Sequence, residues 1–194
     1  LLDCGYRVFA VEPNGDMRKK AEENLSYDKN FISVNGSDAD THLPDGSVDV
    51  VTVAQAFHWF DADAFKKECR RILKPGGKVM IVYNSRRENA ACTKALAGLR
   101  YRYNAEFHGF SNGMSEEKCI AFFAGECDLF RTDNTQIYDR QGYVNRVLSS
   151  SYSLQESDGR YADYLKGIHE IFDLFSVNGL IAVPTDTVAY IGSV

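Results

Sequence analysis

Four short segments rich in β-branched and aromatic residues, separated by stretches of helical length, constrain the fold of this chain more than any other feature. They are residues 6–11, 31–35, 48–54 and 78–84. Residues 48–54 (VDVVTVA) are almost continuously apolar, which predicts a strand buried on both faces, as in a parallel sheet. Parallel strands need crossover connections, usually helices. The order β-α-β-β-α-β therefore predicts an α/β fold with a doubly wound sheet.

Two crossover helices carry their own start and stop signals. Asn14 can cap a helix over residues 15–25, and Asp61 can cap one that runs to Leu73. The sequence Lys-Pro-Gly-Gly at residues 74–77 is typical of a helix end followed by a turn, so we assign it no catalytic role. Residues 1–5 (LLDCG) resemble the last turn of a helix closed by a glycine.

The second half of the chain is less regular. Its predicted elements are a helix over residues 88–103, a short helix opened by Ser115, a strand within 130–138, helices over 142–148 and 161–175, and a final extended segment over 180–191. Pro184 interrupts that last segment, which predicts either an edge strand or two short pieces. The chain contains no internal repeat or low-complexity linker, so we expect a single domain over residues 1–194, with a cofactor-binding part at 1–85 and a substrate side at 86–194.

Charge and composition exclude several classes of function. Lys and Arg number 22 against 27 Asp and Glu, a net charge of −5, which disfavours nucleic acid as a partner. No apolar run is long enough to span a membrane, and the first residues do not form a signal peptide. The five cysteines are scattered without metal-ligand spacing, so we expect mostly buried, reduced thiols in a cytoplasmic protein without a metal site. The oligomeric state stays open.

Three consecutive motifs give the chain a specific resemblance. They read RVFAVEPNGDMR (residues 7–18), NGSDADTHLPDGSVDVVTVAQAFHWFD (35–61) and CRRILKPGGKVMIVYNS (69–85). In order and separation they resemble the class I S-adenosylmethionine-dependent methyltransferases, in particular the small-molecule group called methyltransferase type 11. This resemblance implies a Rossmann-like sheet, mostly parallel, with an antiparallel C-terminal strand, and S-adenosylmethionine as cofactor.

Two further features qualify the resemblance. LSSSYS (residues 148–153) and GLIAVPTDTVAYIG (179–192) are weakly similar to the tail of a subset that includes trans-aconitate methyltransferase-like proteins. The family's glycine-rich GxGxG loop, which approaches the methionine portion of the cofactor, is not among these 194 residues. We therefore expect that loop and the central strand before it to lie upstream of Leu1, and cofactor binding to need them.

Glu12 and the adjoining Pro13 follow the first predicted strand, at the sheet edge where α/β folds bind ligands. A carboxylate at this point can accept hydrogen bonds from both ribose hydroxyls, and the resemblance implies this role for Glu12. Nicotinamide-binding folds use the same interaction, so Glu12 alone does not choose between the two cofactors. The alternative is an exposed acid that only favours the dipole of the following helix.

Asp38 and Ala39 lie in the loop after the second predicted strand. The resemblance to the family's G-D-A-[ED]-x-L-P loop implies that the Asp38 carboxylate accepts from the adenine amino group and that the Ala39 backbone meets the ring edge. The loop here is longer, so the register could instead place Ser37 and Asp38 at these positions. Asp38 and Asp40 could also be turn residues with no ligand.

Residues 54–59 (AQAFHW) follow the most convincing strand, again at its carboxyl end. The resemblance implies that Ala54, Gln55 and Phe57 pass the methionine portion and the reactive methyl group, with Trp59 on the substrate side. Aromatic faces and carbonyl oxygens suit a sulfonium cation. His58 has two interpretations, a general base for the acceptor or a ring that merely packs beside Trp59.

Three more residues are substrate-side candidates. Tyr83 lies within the fourth predicted strand and Arg86 just beyond its end, where the arginine could hold a substrate carboxylate bidentately or simply be solvated. Tyr152, in the SSSYS sequence, is the third. The aromatic stripe of residues 161–175 is interpreted as core.

Together these features predict a methyltransferase that acts on a small molecule, with neither metal nor covalent intermediate. Two other hypotheses stay open. A non-catalytic methyltransferase-like binding domain fits if the glycine-rich loop is lost, and a nicotinamide-dependent oxidoreductase shares Glu12 and the β-α-β pattern.

Overall fold

The computed structural model describes residues 1–110, 116–124 and 126–194. Its strands are β1 (Val8–Val11), β2 (Phe31–Val34), β3 (Val48–Ala54), β4 (Leu73–Arg86), β5 (Cys127–Asp133), β6 (Gln136–Tyr138), β7 (Ile181–Val183) and β8 (Thr185–Gly192). Its α-helices are α1 (Gly15–Leu25), α2 (Ala62–Ile72), α3 (Ala91–Tyr103), α4 (Glu116–Phe122), α5 (Arg140–Leu148) and α6 (Tyr161–Phe175). Short 3₁₀ turns occupy Leu2–Cys4 and Phe57–Trp59.

The chain divides into two compact units by its internal contacts. Unit 1 comprises Leu1–Ile81, Glu116–Asp128 and Tyr190–Val194, and unit 2 comprises Val82–Ser115 and Leu129–Ala189. The expectation of one domain with parts at residues 1–85 and 86–194 stays a prediction, and each unit is described by itself below.

The strands form three sheets rather than one. β1 and β2 pair in parallel, with Val8 opposite Phe31 and Val11 opposite Val34. A four-stranded sheet has the order β3-β4-β8-β5, and β6 pairs antiparallel with β7. The prediction that residues 6–11, 31–35, 48–54 and 78–84 share one sheet is therefore wrong, because no strand in the described part of the chain joins β1 to β3.

Hydrogen bonds fix the strand directions in the four-stranded sheet. Hydrogen bonds at the start of β3 and β4 join Gly46 to Arg71, Ser47 to Ile72 and Asp49 to Lys74. The residue numbers of both partners increase along this series, as they do between parallel strands. Hydrogen bonds between β4 and β8 and the residues next to them join Lys78 to Ser193, Asn84 to Thr187 and Arg87 to Pro184. The residue number of one partner increases while that of the other decreases, as between antiparallel strands. β3 and β4 are thus parallel and β8 is antiparallel to β4. The fold is the expected Rossmann-like α/β fold, with mostly parallel strands and an antiparallel C-terminal strand.

Local signals in the sequence place most of the helices. The predicted bounds of α1 and α6 are confirmed, and α3 starts at Ala91 rather than at residue 88. The Asn14 side chain accepts from the backbone N–H groups of the first turn of α1, and Asp61 does the same for α2. Gly5 closes the opening turn in the left-handed conformation, as predicted. Ser115 lies outside the described residues.

The last strand differs from one of its two predicted forms. The terminal segment breaks at Pro184 into β7 and β8, which confirms the prediction of two pieces. β8 lies between β4 and β5, so the alternative of an edge strand is wrong. Proline has no N–H group to donate to a neighbouring strand, so it disrupts a strand only at a position where that hydrogen bond is needed. Pro184 lies between β7 and β8 and therefore disrupts neither strand.

The β3 strand is less buried than its composition predicts. Only Val53 is buried in β3, and Val50 is 52% exposed. The prediction of burial on both faces is therefore wrong. An apolar run shows that a segment can be buried, but the layers that cover it come from distant parts of the chain.

Each unit has its own apolar core. Unit 1 buries side chains of α2, β4 and α4: Phe65, Cys69, Ile72, Val79, Ile81, Cys119 and Phe122. Unit 2 buries side chains of α3, α5 and α6: Leu96, Tyr143, Val147, Tyr164, Ile168 and Phe172. The stripe on α6 is core, as predicted.

All five cysteines are free, and three of them are buried. Burial raises the pKa of Cys69 to about 12 and that of Cys119 to about 11. These thiols stay protonated at neutral pH and are poor nucleophiles. No helix in the described part of the chain is long and apolar enough to cross a membrane.

β4 begins at Leu73, so residues 74–77 belong to this strand and the prediction of a turn there is wrong. Within the strand there is no room for a side chain at Gly77. An added Cβ would lie 2.8 Å from Leu73 Cδ2 and 3.0 Å from the backbone oxygen of Asp49. We expect Gly77→Ala to lower the free energy of unfolding by about 1–3 kcal/mol, as overpacking does. Gly98→Ala in α3, where a Cβ meets nothing within 4 Å, is the control and should raise it by up to about 1 kcal/mol. Urea unfolding of both variants tests this, and equal effects would contradict it.

Candidate functional site

The carboxyl ends of β1 and β2 meet at one edge of their sheet. The parallel register places Glu12 beside Asn35, and the Glu12 N–H donates to the carbonyl of Val34 at 3.1 Å. Glu12 is half-buried, and its Oε1 accepts the N–H of Asn14 at 2.8 Å. Its Oε2 accepts no hydrogen bond from any described residue. One carboxylate oxygen is thus held in place while the other remains available to a ligand.

Arg18 of α1 joins the two strand ends, a role that the sequence analysis missed. Its Nη1 donates to the carbonyl oxygen of Glu12 at 2.8 Å and to Asn35 Oδ1 at 3.1 Å. Because Arg18 lies one turn after the Asn14 cap, the helix start and both strand ends form a single hydrogen-bonded group. The i to i+4 spacing from Asn14 to Arg18 was the available signal, but the partner Asn35 is distant in sequence.

The loop after β2 is a compact turn in which two aspartates have different roles. Asp40 closes the turn, because its Oδ1 accepts from the His42 N–H at 3.2 Å. Asp38 is half-buried, and its carboxylate accepts no hydrogen bond from the described residues. Gly36 is buried where a Cβ would lie 2.9 Å from the Asp40 carbonyl oxygen. The turn interpretation therefore holds for Asp40, whereas Asp38 and the exposed Ala39 have no part in the turn's hydrogen bonds.

A buried carboxylate on α2 holds the second half of this loop. Glu68 is 6% exposed, and its Oε1 accepts from the Thr41 N–H at 2.9 Å and from Thr41 Oγ1 at 2.6 Å. Arg71 donates to both Glu68 oxygens and to the carbonyl of Leu43 at 2.6 Å. These hydrogen bonds, the first of them from Arg71, lower the pKa of Glu68 to about 2. We call this group the Glu68 clamp (Thr41, Leu43, Glu68, Arg71).

Replacing the Glu68 carboxylate should destabilise the protein only where that group is ionised. The lowered pKa means that the carboxylate stabilises the folded state above its unfolded pKa of about 4.5, and that this stabilisation is lost as pH falls towards about 2. We expect Glu68→Gln to lower the free energy of unfolding by on the order of 2 kcal/mol at pH 7, after allowance for solvent around Arg71.

Urea unfolding of Glu68→Gln at pH 7 and at pH 3.5 measures this difference, which should be clearly smaller at the lower pH. Glu23→Gln is the control, because Glu23 is exposed on α1 and pairs with the exposed Lys20. A Glu68 effect of equal size at both pH values would contradict the assigned role.

Ala54 ends β3, and the residue after it has an unusual backbone. Gln55 is exposed and has φ of 58°, in the left-handed region that non-glycine residues seldom occupy. The buried Phe57 ring contacts Phe122 at 5.1 Å and Phe65 at 6.2 Å between centroids. Its side chain therefore serves the core of unit 1. Ala54 and Gln55 are exposed at the carboxyl end of the strand, and their role beside the cofactor, which the resemblance implies, stays a prediction.

His58 stacks against Trp59, with ring centroids 4.8 Å apart and planes at 43°. Trp59 is 81% exposed, whereas His58 is half-buried. Burial, and next the charge of Lys118, lower the pKa of His58. The imidazole is thus neutral at pH 7, which suits a base, while the ring contact matches the packing interpretation. Both readings remain predictions.

Lys118 provides a direct check on the electrostatics of His58. We expect Lys118→Met to raise the pKa of His58, because a neighbouring positive charge is removed. NMR titration of the imidazole C–H resonances measures this shift. Lys67→Met on α2 is the control, since Lys67 is not among the groups that act on His58. An unchanged His58 midpoint in Lys118→Met would contradict the electrostatic assignment.

Two of the predicted substrate-side residues lie in one cluster of unit 2. The Arg86 guanidinium carbon lies 5.0 Å from the centroid of the Phe110 ring. Phe110 contacts Phe107 at 5.1 Å, and Phe107 contacts Tyr152 at 5.4 Å. Arg86 is half-buried, and burial lowers its pKa to about 10. Both interpretations of Arg86, a substrate ligand and a solvated side chain, stay predictions. Tyr83 is half-buried within β4.

The structure thus assembles some of the predicted residues and leaves others apart. Glu12 and the loop with Asp38 follow the paired strands β1 and β2, but β3 belongs to another sheet, and no described hydrogen bond links Gln55 to Glu12 or Asp38. Among residues 1–110, 116–124 and 126–194, no group of three or more His, Cys, Asp or Glu side chains could hold a metal ion.

Comparison with known proteins gives these features a context. A family described as a methyltransferase domain matches residues 1–81. An uncharacterised methyltransferase of Mycobacterium tuberculosis is 34% identical over 96 residues, which are 50% of this chain and 38% of that protein. One of Geobacillus kaustophilus is 31% identical over 121 residues, 60% of this chain and 54% of its own. The chain thus spans about half or less of these relatives' length.

Solved structures show the same fold. A putative type II methyltransferase from Anaeromyxobacter dehalogenans has a TM-score of 0.62 at 19% identity, over 96% of this chain and 78% of that one. A putative methyltransferase from an antibiotic biosynthesis pathway of Anabaena variabilis has a TM-score of 0.63 at 15% identity, over 97% and 83%. None of these matches bears on the trans-aconitate-like subset, which stays a prediction. Residues 1–81 thus match a methyltransferase domain family, and the described structure has the fold of these solved methyltransferases.

Proposed function

We propose that the protein is an S-adenosylmethionine-dependent methyltransferase that acts on a small-molecule acceptor. The observation that carries this proposal is the edge formed by β1 and β2 within the matched methyltransferase domain. There Glu12 Oε2 and the Asp38 carboxylate are hydrogen-bond acceptors without a described partner.

The residues present fit this cofactor. A ribose has two adjacent hydroxyl donors, and Glu12 offers a free carboxylate oxygen at a strand end where the fold binds ligands. An adenine amino group needs an acceptor, and Asp38 provides one in a loop that the Glu68 clamp holds firmly. Pro13, Ala39, Ala54 and Gln55 are exposed along these segments and would adjoin the bound molecule.

The chemistry required of the protein is mainly positional. S-adenosylmethionine, when bound, supplies a methyl group that its sulfonium already activates. The chain's residues then have to hold donor and acceptor in line and keep water out, which can contribute on the order of 7–11 kcal/mol. Trp59 gives the aromatic surface for the substrate side in unit 1. No covalent intermediate on the protein enters this scheme.

His58 is proposed as the base only where the acceptor must lose a proton. Its pKa lies below the ordinary value, so the neutral imidazole can accept a proton at pH 7. With an acceptor already deprotonated, His58 would have only its packing role beside Trp59. We also propose a small-molecule partner rather than nucleic acid, because the net charge is −5, and rather than a membrane, because no described helix could span one. We propose a cytoplasmic location because the five cysteines are free.

Glu12 is the residue that tests the cofactor assignment. Glu12→Gln keeps an oxygen for the Asn14 N–H but removes the charged acceptor. We expect S-adenosylhomocysteine to bind about 10- to 150-fold more weakly, since hydrogen bonds to charged groups contribute about 1.5–3 kcal/mol. Calorimetry measures this on the chain and on a version preceded by the family's glycine-rich segment.

Glu23→Gln is the matched control, because it removes the same charge from the exposed face of α1. Nicotinamide nucleotides are titrated beside the S-adenosyl compounds. A clear preference for NAD, or no heat with either S-adenosyl compound in the version that carries the glycine-rich segment, would refute the proposal.

A further inference from the structure

Two arginines in unit 2 share one aromatic ring and have no acidic partner among the described residues. The guanidinium carbon of Arg86 lies 5.0 Å from the Phe110 centroid, and that of Arg100 lies 5.3 Å from the same centroid. Arg100 also lies 5.5 Å from the centroid of Phe107. Within the described part of the chain, neither arginine has a carboxylate oxygen within 4.0 Å. We call this group the arginine–aromatic cluster (Arg86, Arg100, Phe107, Phe110, Tyr152).

Arg100 is the more unusual member because it is 3% exposed. Its Nη2 donates to the Val147 carbonyl oxygen at 3.3 Å, whereas its buried Nε has no hydrogen-bond partner. Burial lowers the pKa of Arg100, whereas a hydrogen bond to the Tyr164 side chain opposes this shift. The charge of Arg146 lowers the pKa further. The pKa of Arg86 falls to about 10 through burial first, then through Arg146 and Arg100. Both guanidiniums stay charged at pH 7, so the cluster concentrates uncompensated positive charge.

Two half-buried arginines of the chain, in contrast, have carboxylate partners. Arg71 lies 2.6 Å from a Glu68 oxygen, and Arg87 lies 2.6 Å from oxygens of both Asp133 and Asp186. A buried unpaired charge destabilises a protein, and aromatic faces offset only part of that effect. An apolar side chain at residue 100 would stabilise the packed core better than an arginine does. The unsatisfied charge therefore indicates a ligand of opposite sign.

We propose that the arginine–aromatic cluster binds the carboxylate group of a small-molecule ligand. A guanidinium matches a carboxylate with two parallel N–H donors. Arg86 is half-buried and is the arginine that solvent, and hence a ligand, can reach. Arg100 lies deeper and supplies the second positive charge. Phe107, Phe110 and Tyr152 provide apolar walls for the body of an organic acid.

A phosphate group has the same oxyanion chemistry, so the probes must separate the two sources. The full chain is titrated with malonate, malonamide and inorganic phosphate at constant ionic strength, by calorimetry and by thermal unfolding. We expect malonate to bind and to raise the Tm, and malonamide, which has the same shape without charge, to do neither. Binding of phosphate without malonate, or no binding of either anion, would overturn the proposal.

Variants assign the binding to the cluster. We expect Arg86→Gln and Arg100→Met each to weaken malonate binding by about tenfold or more, as loss of a charged hydrogen bond does. Arg102→Gln is the control, because Arg102 is exposed on the same helix. Without ligand, Arg100→Met should unfold at the same Tm as the wild type or higher, since an unpaired buried charge has been removed.

A purely structural role for Arg100 predicts the opposite pair of results, a lower Tm and an unchanged response to malonate, and would overturn the proposal. Should Arg100→Met fail to fold, Arg86→Gln carries the same test at a more exposed position. Binding of S-adenosylhomocysteine is measured in parallel. Malonate binding that survives Glu12→Gln, in a protein that does not bind S-adenosylhomocysteine, would support the cluster while refuting the methyltransferase proposal.

Discussion

Parallel pairing of β1 with β2 is the constraint on which the proposed cofactor edge depends. Parallel strands cannot be joined by a tight turn, so the chain must return through α1 before β2 can pair. The register of this pairing also brings the residues that follow the two strands to the same edge of the sheet. Among the described residues, the Glu12 carbonyl oxygen accepts from a side chain, Arg18, rather than from a neighbouring strand. Asn14 caps the helix, and Arg18 binds the carbonyl of Glu12, so the edge is ordered before any ligand binds.

The α2 helix extends this order to the loop that carries Asp38. The helix is the crossover connection between the parallel strands β3 and β4. The helix also anchors the loop through one buried carboxylate, because Glu68 accepts hydrogen bonds from Thr41 and from Arg71 at the same time. A buried charge destabilises the fold when it loses its hydrogen bonds, so Thr41 and Arg71 cannot easily move apart. A loop anchored in this way can present Asp38 with little loss of entropy on binding.

The sequence predicted the elements whose determinants are local. Periodic apolar residues and a capping side chain define α1, and the apolar stripe defines α6, so their bounds were correct. Exposure of Val50 and the separate pairing of β1 with β2 could not be predicted, because both depend on which distant segments cover a face or an edge. The Glu68 clamp shows the same limit. The spacing from Glu68 to Arg71 suggests an ion pair on a helix, but Thr41 lies 27 residues away.

The candidate sites themselves show how far motif reasoning reaches. Glu12 and Asp38 were found because strand ends in α/β folds are predictable places for ligands. Arg100 was missed because it lies in a helix, where an arginine is ordinarily a solvated surface residue. What distinguishes Arg100 is burial without a partner, and only the packed structure reveals it.

The two units differ in how completely a buried charged side chain is hydrogen-bonded. In unit 1 the Glu68 carboxylate has all the donors that it needs, so it stabilises the fold and has little capacity left for a ligand. In unit 2 the Arg100 guanidinium keeps an unsatisfied donor, so it opposes folding and retains its capacity to bind. The fully buried Tyr143, Tyr164 and Ile168 supply the apolar stabilisation that lets unit 2 keep such a group. A chain that retains an unpaired buried cation beside a well-packed core is better explained by a binding function than by stability, because an apolar residue at the same position would stabilise the core further.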